Sequence, residues 1–385
     1  MKVVFASNFY NHHQKPLADA LYSVLGNDYY FIETQTISEK RLKMGWGGEE
    51  KPPYVLQSYT SEDARKKCQD IIDGADVVIV GNAPYKMAKT RLKKGLLTFM
   101  YTERIYKNGV PIHKLPIHFL RSVNRYIRHK NFYVLCASAY TPLDFSRTLA
   151  FIGKTYKWGY FTEVKEYGDF DKLIEEKSRS SILWVSRFIS WKHPEIPLEL
   201  AKRLKKEGYN FKIRMIGNGE LENQIKERIE SEHLSDCVEL LGVMKPEEVR
   251  HHMEKSSIFL FTSDRNEGWG AVVNEAMNSA CAVIANSAIG CVPFLVADGE
   301  NGYMYKDGDV DDLYAKLKML LDDFEECRRV GINAYKTMIE EWNAENASQK
   351  FLTICEKILS GEYKPFPYEH GVCSKAEILK DKWYK

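Results

Sequence analysis

The first half of the chain alternates short runs of β-branched and aromatic residues with longer amphipathic stretches. Short apolar runs bounded by turn residues predict buried strands, and an apolar period of 3.6 residues predicts helices. Because strands separated by helices form βαβ units, this half predicts a parallel sheet. The predicted strands are 3–7, 30–33, 77–81, 96–101 and 132–137, and the predicted helices lie near 16–25, 62–72, 85–94 and 114–129.

The same alternation starts again after a charged stretch at 163–179, which predicts a second open α/β domain. A tail over 310–359 is helical in pattern, Gly361 and two prolines interrupt it, and a short helix is predicted over 374–380. A loop at 40–53, rich in glycine and proline, is long enough to be functional. The second set of strands is 182–186, 211–216, 238–241, 258–262 and 283–286, with helices near 197–206, 221–230, 246–253 and 270–280.

Composition fits a folded protein of two domains. The chain has 385 residues, of which 44% are hydrophobic and 28% charged, which excludes collagen-like, disordered and disulfide-scaffold classes. Its longest apolar runs are strand-length, and about 20 residues are needed to cross a bilayer. The apolar run at the amino terminus is too short for the core of a signal peptide. The eight cysteines are not spaced as zinc ligands are. We therefore expect a cytoplasmic chain with reduced thiols and no bound metal.

Positive charge is concentrated between residues 86 and 130, where twelve cations accompany one acid, Glu103, and leave the rest of the chain at −9. This asymmetry indicates an anionic partner, although a solvated basic surface gives the same pattern. Within it, 114–130 forms an amphipathic basic helix that can lie on an anionic membrane; a core-packed helix with a solvated back is the alternative. The basic stripe is Arg121, Arg125 and Arg128, and the apolar stripe is Leu120, Val123 and Ile127.

The loop from Thr262 to Glu275 carries the strongest chemical signal. Gly268 and Gly270 remove side chains before a predicted helix, so the N–H groups of 269–272 can face a phosphate. Glu267 and Glu275 would be roughly 12 Å apart if the spacing were wholly helical, which suits a carboxylate at each end of a nucleotide-sugar. If the two glutamates are considered alone, the simpler interpretation is structural: Glu267 is favourable near the start of a helix, and Glu275 is a solvated helix residue.

Two other loops in the same domain offer groups for a diphosphate. Arg187 and Lys192 follow a predicted strand and place two cations at its carboxyl end. Gly217 and Gly219 form a turn that brings backbone near a ligand, a signal that by itself more often marks a tight turn.

Together these loops resemble, in order and spacing, the nucleotide-sugar-binding half of retaining glycosyltransferases of family 4. The resemblance covers roughly residues 182 to 325 and implies the α/β fold class GT-B. That class has two facing Rossmann-like domains with parallel sheets and a C-terminal segment that crosses back to the first domain. The implied domains are an acceptor-side domain, 1–165 joined by 362–385, and a nucleotide-sugar-binding domain, 180–361. The matching motifs are Ser186-Arg187-Phe188 with Lys192, Ile216 to Gly219, Leu241-Gly242, Glu267 to Ala276, and Asn301-Gly302.

The resemblance also implies site residues. Arg187 and Lys192 would hold the diphosphate, Glu267 the donor sugar and Glu275 the ribose, with no metal or cofactor required. The donor-binding backbone would come from Gly217, Gly219, Gly268, Trp269, Gly270, Ala271 and Val272.

The first half matches the family less closely. The loop that contains Asn11, His12 and His13 lacks the glycines common in the family, and Glu103 stands where many members have a His. Glu103 is therefore the candidate polar group beside the reacting centre. His12 or His13 is the alternative, and His13 as an ordinary helix-start residue is about as well supported.

The expected function is transfer of a hexose or N-acetylhexosamine from a nucleotide diphosphate sugar to an acceptor, with retention. The acceptor would be a lipid-linked saccharide in surface or capsular polysaccharide biosynthesis, and the chain would lie peripherally on the inner face of the cell membrane. No nucleic-acid partner is expected. A nucleotide-sugar 2-epimerase of the same fold and a non-catalytic accessory subunit are the alternatives.

Overall fold

The computed structural model describes residues 1–39, 50–107, 109–362, 366–380 and 382–384. The chain divides into two compact units. The first contains Met1–Glu163 and Trp342–Lys380, and the second contains Val164–Glu341 and Asp381–Lys385. Most of the glycine-rich loop predicted at 40–53, residues 40–49, lies outside the described residues.

The first unit is built on a parallel sheet of seven strands. Their bounds are β1 Val3–Ser7, β2 Tyr29–Glu33, β3 Val55–Gln57, β4 Val77–Val80, β5 Thr98–Thr102, β6 Phe132–Cys136 and β7 Thr155–Lys157. Their order is β3-β2-β1-β4-β5-β6-β7. The order reverses between β1 and β4, and loops that leave the carboxyl ends near such a reversal form the binding crevice of open α/β sheets.

Helices cover this sheet, and local sequence explains where several of them begin. Ser61 accepts the N–H of Ala64 at 3.0 Å and caps α2, as expected for a serine before a helix. Pro16 lies in the first turn of α1, where its missing N–H has no cost. The helices are α1 Lys15–Leu25, α2 Glu62–Gly74, α3 Lys89–Lys93, α4 Leu115–Ser122 and α5 Thr141–Ser146.

The prediction of one continuous helix over 114–129 is wrong. A 3₁₀ turn, Ile112–Lys114, precedes α4, and a π-helical turn, Val123–Ile127, follows it. The change of helical period moves the side chains after Ser122 away from the stripes that a uniform α-helix would give.

The second unit has a parallel sheet of six strands in the order β10-β9-β8-β11-β12-β13. The strands are β8 Ser178–Val185, β9 Lys212–Ile216, β10 Val238–Gly242, β11 Ser256–Phe261, β12 Ala282–Asn286 and β13 Tyr303–Tyr305. The helices are α6 Phe170–Glu175, α7 Ile196–Lys206, α8 Glu222–Ser231, α9 Pro246–Lys255, α10 Val272–Asn278, α11 Val292–Leu295, α12 Val310–Asp322 and α13 Phe324–Glu340.

After the second unit the chain returns to the first through α14, Ala344–Ser360. The ring of Phe351 lies 5.0 Å from that of Phe99 and 5.8 Å from that of Trp158, so this helix contributes to the first core. Residues 342–361, expected in the second domain, therefore belong to the first unit. The predicted end of the helical tail at Gly361 agrees with the structure, where that glycine has φ +78°.

The helix predicted over 374–380 is also wrong. This segment runs along β7 instead: the N–H of Lys157 donates to the carbonyl of Ser374 at 2.7 Å, and Thr155 Oγ1 donates to the carbonyl of Ala376 at 3.1 Å. Pairing with an edge strand satisfies backbone groups that a helix would have satisfied internally.

The cores lie on both faces of each sheet, and the strands β1, β4, β6, β11 and β12 are buried along their whole length. All eight cysteines are buried. Among the described residues, no helix is both long and apolar enough to span a bilayer.

Candidate functional site

Three predicted site loops of the second unit leave neighbouring strands of one sheet. They follow β8, β9 and β11, which lie side by side in the order β9-β8-β11. Because the strands are parallel, the three loops start at the same carboxyl edge. The sheet therefore brings together segments that are up to 75 residues apart in the chain.

Lys192 and Glu267 form an ion pair that joins the loop after β8 to the loop after β11. A second link supports the pair, because Thr262 Oγ1 donates to the carbonyl of Lys192 at 2.7 Å and accepts from Trp184 Nε1 at 2.8 Å. The pair places a cation and a carboxylate next to each other at the sheet edge. Sequence reasoning had placed both residues at the site without predicting their contact.

Lys192 is held in a largely apolar environment. Its ammonium lies 4.5 Å from the ring centre of Trp191 and 5.2 Å from that of Phe261. Burial lowers its pKa, and the carboxylate of Glu267 opposes that shift. A partly desolvated cation attracts an incoming anion more strongly than a fully hydrated one.

Arg187 is exposed beside this pair. Its guanidinium lies 5.7 Å from the ring centre of Trp191. Among the residues that the structure describes, no acid pairs with it. The planar donor group is therefore available to an external anion.

Gly217 and Gly219 hold the loop after β9 against the loop after β8. A Cβ at Gly217, which has φ +130°, would lie 1.9 Å from the carbonyl oxygen of Ser186, and one at Gly219 would lie 2.4 Å from that of Phe188. The N–H of Phe188 donates to the carbonyl of Asn218 at 2.8 Å. Close packing against neighbouring backbone thus explains why glycine occupies both positions, without a bound ligand.

The turn before α10 is also shaped by protein neighbours. A Cβ at Gly270, with φ +95°, would lie 2.6 Å from the ring of Phe261. The indole of Trp269 is buried and donates to Asn274 Oδ1 at 2.9 Å, so its side chain is part of the core. The helix begins at Val272, two residues later than predicted. The remaining predicted backbone groups, Gly268 and Ala271, lie in the turn that precedes this start.

Because residues 267–271 are not helical, the roughly 12 Å separation expected for a wholly helical spacing does not apply to Glu267 and Glu275.

Glu275 is a partly buried carboxylate on α10. Burial raises its pKa, and the charge of Arg250 opposes the shift. Its carboxylate makes no hydrogen bond or ion pair with another described residue. A desolvated carboxylate in this state is an acceptor ready for a hydroxyl donor.

His193 is a site residue that sequence reasoning missed. It adopts a left-handed backbone conformation, with φ +53°. Its Nδ1 lies 2.8 Å from Glu195 Oε1 and its Nε2 lies 3.6 Å from Asp264 Oδ2. The hydrogen bond with Glu195 raises the pKa of His193, and burial opposes the rise. No motif marked this residue, since its partners are set by the fold.

The last motif of the sequence resemblance, Asn301-Gly302, lies just before β13 and thus at the opposite, amino edge of the sheet. Asn301 accepts the N–H of Ala297 at 2.7 Å and donates to the carbonyl of Leu295 at 2.9 Å. It stabilises the turn after α11 and takes no part in the candidate site.

In the first unit, Asn11, His12 and His13 follow β1 at the carboxyl edge. The carbonyl of Asn11 accepts the N–H groups of Gln14 and Lys15, each at 2.9 Å, and its side chain accepts that of His13 at 2.9 Å. The two imidazole rings lie 4.0 Å apart. Burial lowers the pKa of His13 to about 3, with a smaller contribution from His12, so His13 is neutral near pH 7.

Glu103 follows β5 and accepts a hydrogen bond from Tyr160 Oη at 2.9 Å. The ring of Tyr160 lies 5.8 Å from that of His13. Tyr160 thus contacts Glu103 and His13, two of the three residues that the sequence left as alternatives. No sequence signal identified Tyr160, because it follows the short strand β7, which was not predicted.

A second residue that the sequence did not reveal is Glu33, at the end of β2. Its side chain is fully buried, accepts the N–H of Tyr10 at 2.7 Å and pairs with Lys51. It ties the loop after β1 to the neighbouring strand.

Comparison with known proteins finds a family match within the second unit. Residues 168–337 match the family Glycosyl transferases group 1. This group 1 match contains Lys192, Glu267 and Glu275, and it confirms the family resemblance at the level of the group.

Curated relatives align over the same half. The amylovoran biosynthesis glycosyltransferase AmsK of Erwinia amylovora is 29% identical over 182 residues, 46% of this chain and 44% of that protein. The putative colanic acid biosynthesis glycosyltransferase WcaL of Salmonella typhimurium is 24% identical over 180 residues, 45% of this chain and 44% of that protein. The chain thus spans less than half the length of these two relatives.

Solved structures align over nearly the whole chain. Anabaena Alr3699/HepE, crystallised in complex with UDP, has a TM-score of 0.67 at 16% identity, covering 94% of this chain and 100% of that one. The lipopolysaccharide outer core galactosyltransferase WaaB, in its apo form, has a TM-score of 0.67 at 15% identity with the same coverage. With the two Rossmann-like units, this likeness confirms the predicted GT-B class. No group of three or more potential metal ligands occurs within the described residues.

Proposed function

We propose that this chain is a retaining glycosyltransferase of family 4 that moves a hexose or N-acetylhexosamine from a nucleotide diphosphate sugar to an acceptor. The observation that carries the proposal is the ion pair of Lys192 and Glu267, with the exposed guanidinium of Arg187 beside it. Opposite charges at the carboxyl edge of a group 1 domain suit a donor that combines a diphosphate with a polar sugar.

The leaving diphosphate gains negative charge as the glycosidic bond breaks. Arg187 and Lys192 would stabilise that charge, and groups positioned before the reaction do so without a cost of reorganisation. The ammonium of Lys192 is held by two aromatic rings and by Glu267, so its position is set before a donor binds. Glu267, no longer fully neutralised once Lys192 also contacts the diphosphate, would accept hydroxyl hydrogen bonds from the donor sugar.

Glu275 would accept hydrogen bonds from the ribose. The carboxylate has no partner among the described residues, and its raised pKa reflects that desolvation. A ribose diol supplies two donors, which compensates the buried charge. Since Alr3699/HepE was crystallised with UDP and with UDP-glucose, these two compounds are the first probes for this chain.

We propose a lipid-linked saccharide of surface or capsular polysaccharide biosynthesis as the acceptor, bound on the first unit near Glu103 and His13. The names of the aligned relatives, which include amylovoran and colanic acid biosynthesis enzymes, support the biosynthetic setting. Cations and backbone N–H groups would replace a metal in this mechanism, so we expect full activity in the presence of a chelator.

An amphipathic surface formed by residues 105–107 and 109–130 supports peripheral attachment to the inner face of an anionic membrane. A core-packed helix would bury its apolar stripe, yet Leu120 is 62% exposed and Ile127 is 41% exposed. Ile112 and Ile117 are 84% and 54% exposed in the same stretch. The cations Arg121, Arg125 and Arg128 are exposed among them. If about four cations contact anionic lipid at about 1 kcal/mol each, attachment is reversible.

Co-sedimentation with vesicles of anionic and of neutral lipid tests this attachment. We expect the protein to bind anionic vesicles at low salt, to dissociate as salt is raised, and to bind poorly when all three arginines are replaced by Glu. Replacing the exposed acids Glu227 and Glu230 of α8 by Gln provides a control elsewhere on the surface. Failure of the unmodified protein to sediment, or equal binding by the triple arginine variant, contradicts the proposal.

A nucleotide-sugar panel tests the catalytic function. Thermal shift selects the donor, because a ligand at 100 times its Kd stabilises by about 2.7 kcal/mol. Product analysis of that donor without acceptor then separates the candidates. A transferase releases free sugar slowly, a 2-epimerase produces a new nucleotide-sugar, and an accessory subunit produces neither. Glu267→Gln should abolish the sugar release, since the amide retains the shape of the side chain and loses its charge.

A further inference from the structure

Tyr160 connects two side chains that are far apart in sequence. Its hydroxyl donates to Glu103 Oε1 at 2.9 Å, and its ring lies 5.8 Å from that of His13. The three residues follow β7, β5 and β1, so all three lie at the carboxyl edge of the first sheet.

Contacts with Tyr101 fix the position of Tyr160. The hydroxyl of Tyr101, the buried fourth residue of β5, donates to the carbonyl of Gly159 at 2.9 Å. The rings of Tyr101 and Tyr160 lie 5.9 Å apart in an edge-to-face arrangement. The residue before Tyr160 is thus tied to the sheet, and the phenol has a defined direction in which to reach Glu103.

We propose that Tyr160 is a positioning residue that orients the carboxylate of Glu103 in a subsite for the hydroxyl of a saccharide acceptor, with His13 as the neighbouring wall. The inference rests on the proposed transferase function and names the acceptor-binding part of that site. One oxygen of Glu103 is held by the phenol, which fixes the plane of the carboxylate for an incoming hydroxyl donor.

The neutral state of His13 fits this subsite. A neutral ring offers one acceptor and one donor nitrogen to a sugar, whereas an imidazolium offers only donors. The groups that face His13 include His12 on its own loop and Tyr160 from the segment after β7. Its low pKa, about 3, keeps the ring neutral across the working pH range.

Transfer kinetics with octyl β-glucoside and octyl β-galactoside as probe acceptors test the proposal, with the donor chosen by thermal shift. Loss of a hydrogen bond to a charged group should lower kcat/KM of Tyr160→Phe for the acceptor about tenfold or more. UDP affinity, measured by calorimetry, should stay unchanged, because the predicted nucleotide residues belong to the second unit.

A double-mutant cycle separates positioning from simple structural support. In a Glu103→Ala background, Tyr160→Phe should cause no further loss, because the group that it orients is gone. The matched control is Tyr29→Phe, which removes a buried hydroxyl from the first residue of β2, at the opposite, amino edge of the same sheet. Its effect should be the same in both backgrounds.

Three results would overturn the inference while leaving the transferase proposal intact. These are unchanged acceptor kinetics of Tyr160→Phe, an effect of Tyr160→Phe that persists fully without Glu103, and a loss matched by Tyr29→Phe together with a lowered Tm. Absence of sugar turnover by the unmodified protein with every donor tested would instead contradict the proposed function itself.

Discussion

Replacement of Glu275 by Gln should change nucleotide affinity and stability in opposite senses. The carboxylate is partly buried, has no partner among the described residues and has a pKa raised by burial. If it binds the ribose, the amide loses the charge-assisted part of that interaction, about 1 to 1.5 kcal/mol. UDP should then bind about fivefold to tenfold more weakly, and Glu275→Ala should lose about tenfold or more.

The unliganded variant should, however, be more stable than the unmodified protein. Because burial raises the pKa of Glu275, the folded chain holds the proton more tightly than the unfolded chain does. The ionised group therefore lowers the free energy of unfolding above its folded pKa, and this cost disappears as the pH falls through that value. The gain in Tm of Glu275→Gln should be present at about pH 7.5 and absent near about pH 4.

Calorimetric titration with UDP and thermal unfolding at both pH values measure the two effects on the same samples. Glu227→Gln is the control, because Glu227 lies exposed on α8 and should change neither quantity. Unchanged UDP affinity of both the Gln and the Ala variant would refute the ribose assignment. A Glu275→Gln variant less stable than the unmodified protein at about pH 7.5 would show that the carboxylate is a structural group.

Other substitutions test the remaining features. Arg187→Ala should lower kcat by about two orders of magnitude in steady-state kinetics, a typical loss for one group that stabilises developing charge; a rise in KM alone would restrict Arg187 to binding. Gly217→Ala should reduce the free energy of unfolding in urea by at least about 2 kcal/mol, because the new Cβ would clash with Ser186 and the positive φ disfavours alanine. Gly208→Ala should reduce it less, because Gly208 also has a positive φ, +80°, but has open space around it. Because the folded pKa of His13 is about 3, the free energy of unfolding should fall by up to about 1.4 kcal/mol per pH unit as the pH is lowered below about 6.5. Urea unfolding of His13→Gln should lack this pH-dependent loss. The same pH dependence in the variant and the unmodified protein would contradict the prediction.

Hydrophobic periodicity predicted most of the fold because the central strands are buried on both faces and have a strong apolar signal. The strands that it missed, β3, β7 and β13, have three residues each, too few for a periodic pattern. The helix predicted over 374–380 failed for another reason. Its residues pair with β7, a long-range contact that overrides local propensity.

The candidate site was predicted to the level of loops but not of contacts. Charged and glycine-rich segments after predicted strands identified Lys192 and Glu267, whose separation of 75 residues hid their ion pair. Tyr160 could not be identified, since only the unpredicted strand β7 brings it to Glu103. Gly217 and Gly219 were predicted to bring backbone near a ligand, and their close neighbours are backbone atoms such as the carbonyl of Ser186, which no sequence pattern reveals.

The return of the chain through α14 has a consequence for synthesis on the ribosome. The first unit stops at Glu163 and resumes at Trp342, so α1 lacks its neighbour α14, and Phe99 lacks its partner Phe351, until the second unit has been made. At 5–20 residues per second, about 10 to 40 seconds separate the two parts of the first unit. The second unit, nearly all of it one uninterrupted segment, is therefore the part able to complete its fold first. During that interval the nascent first unit exposes the apolar surface that α14 later covers.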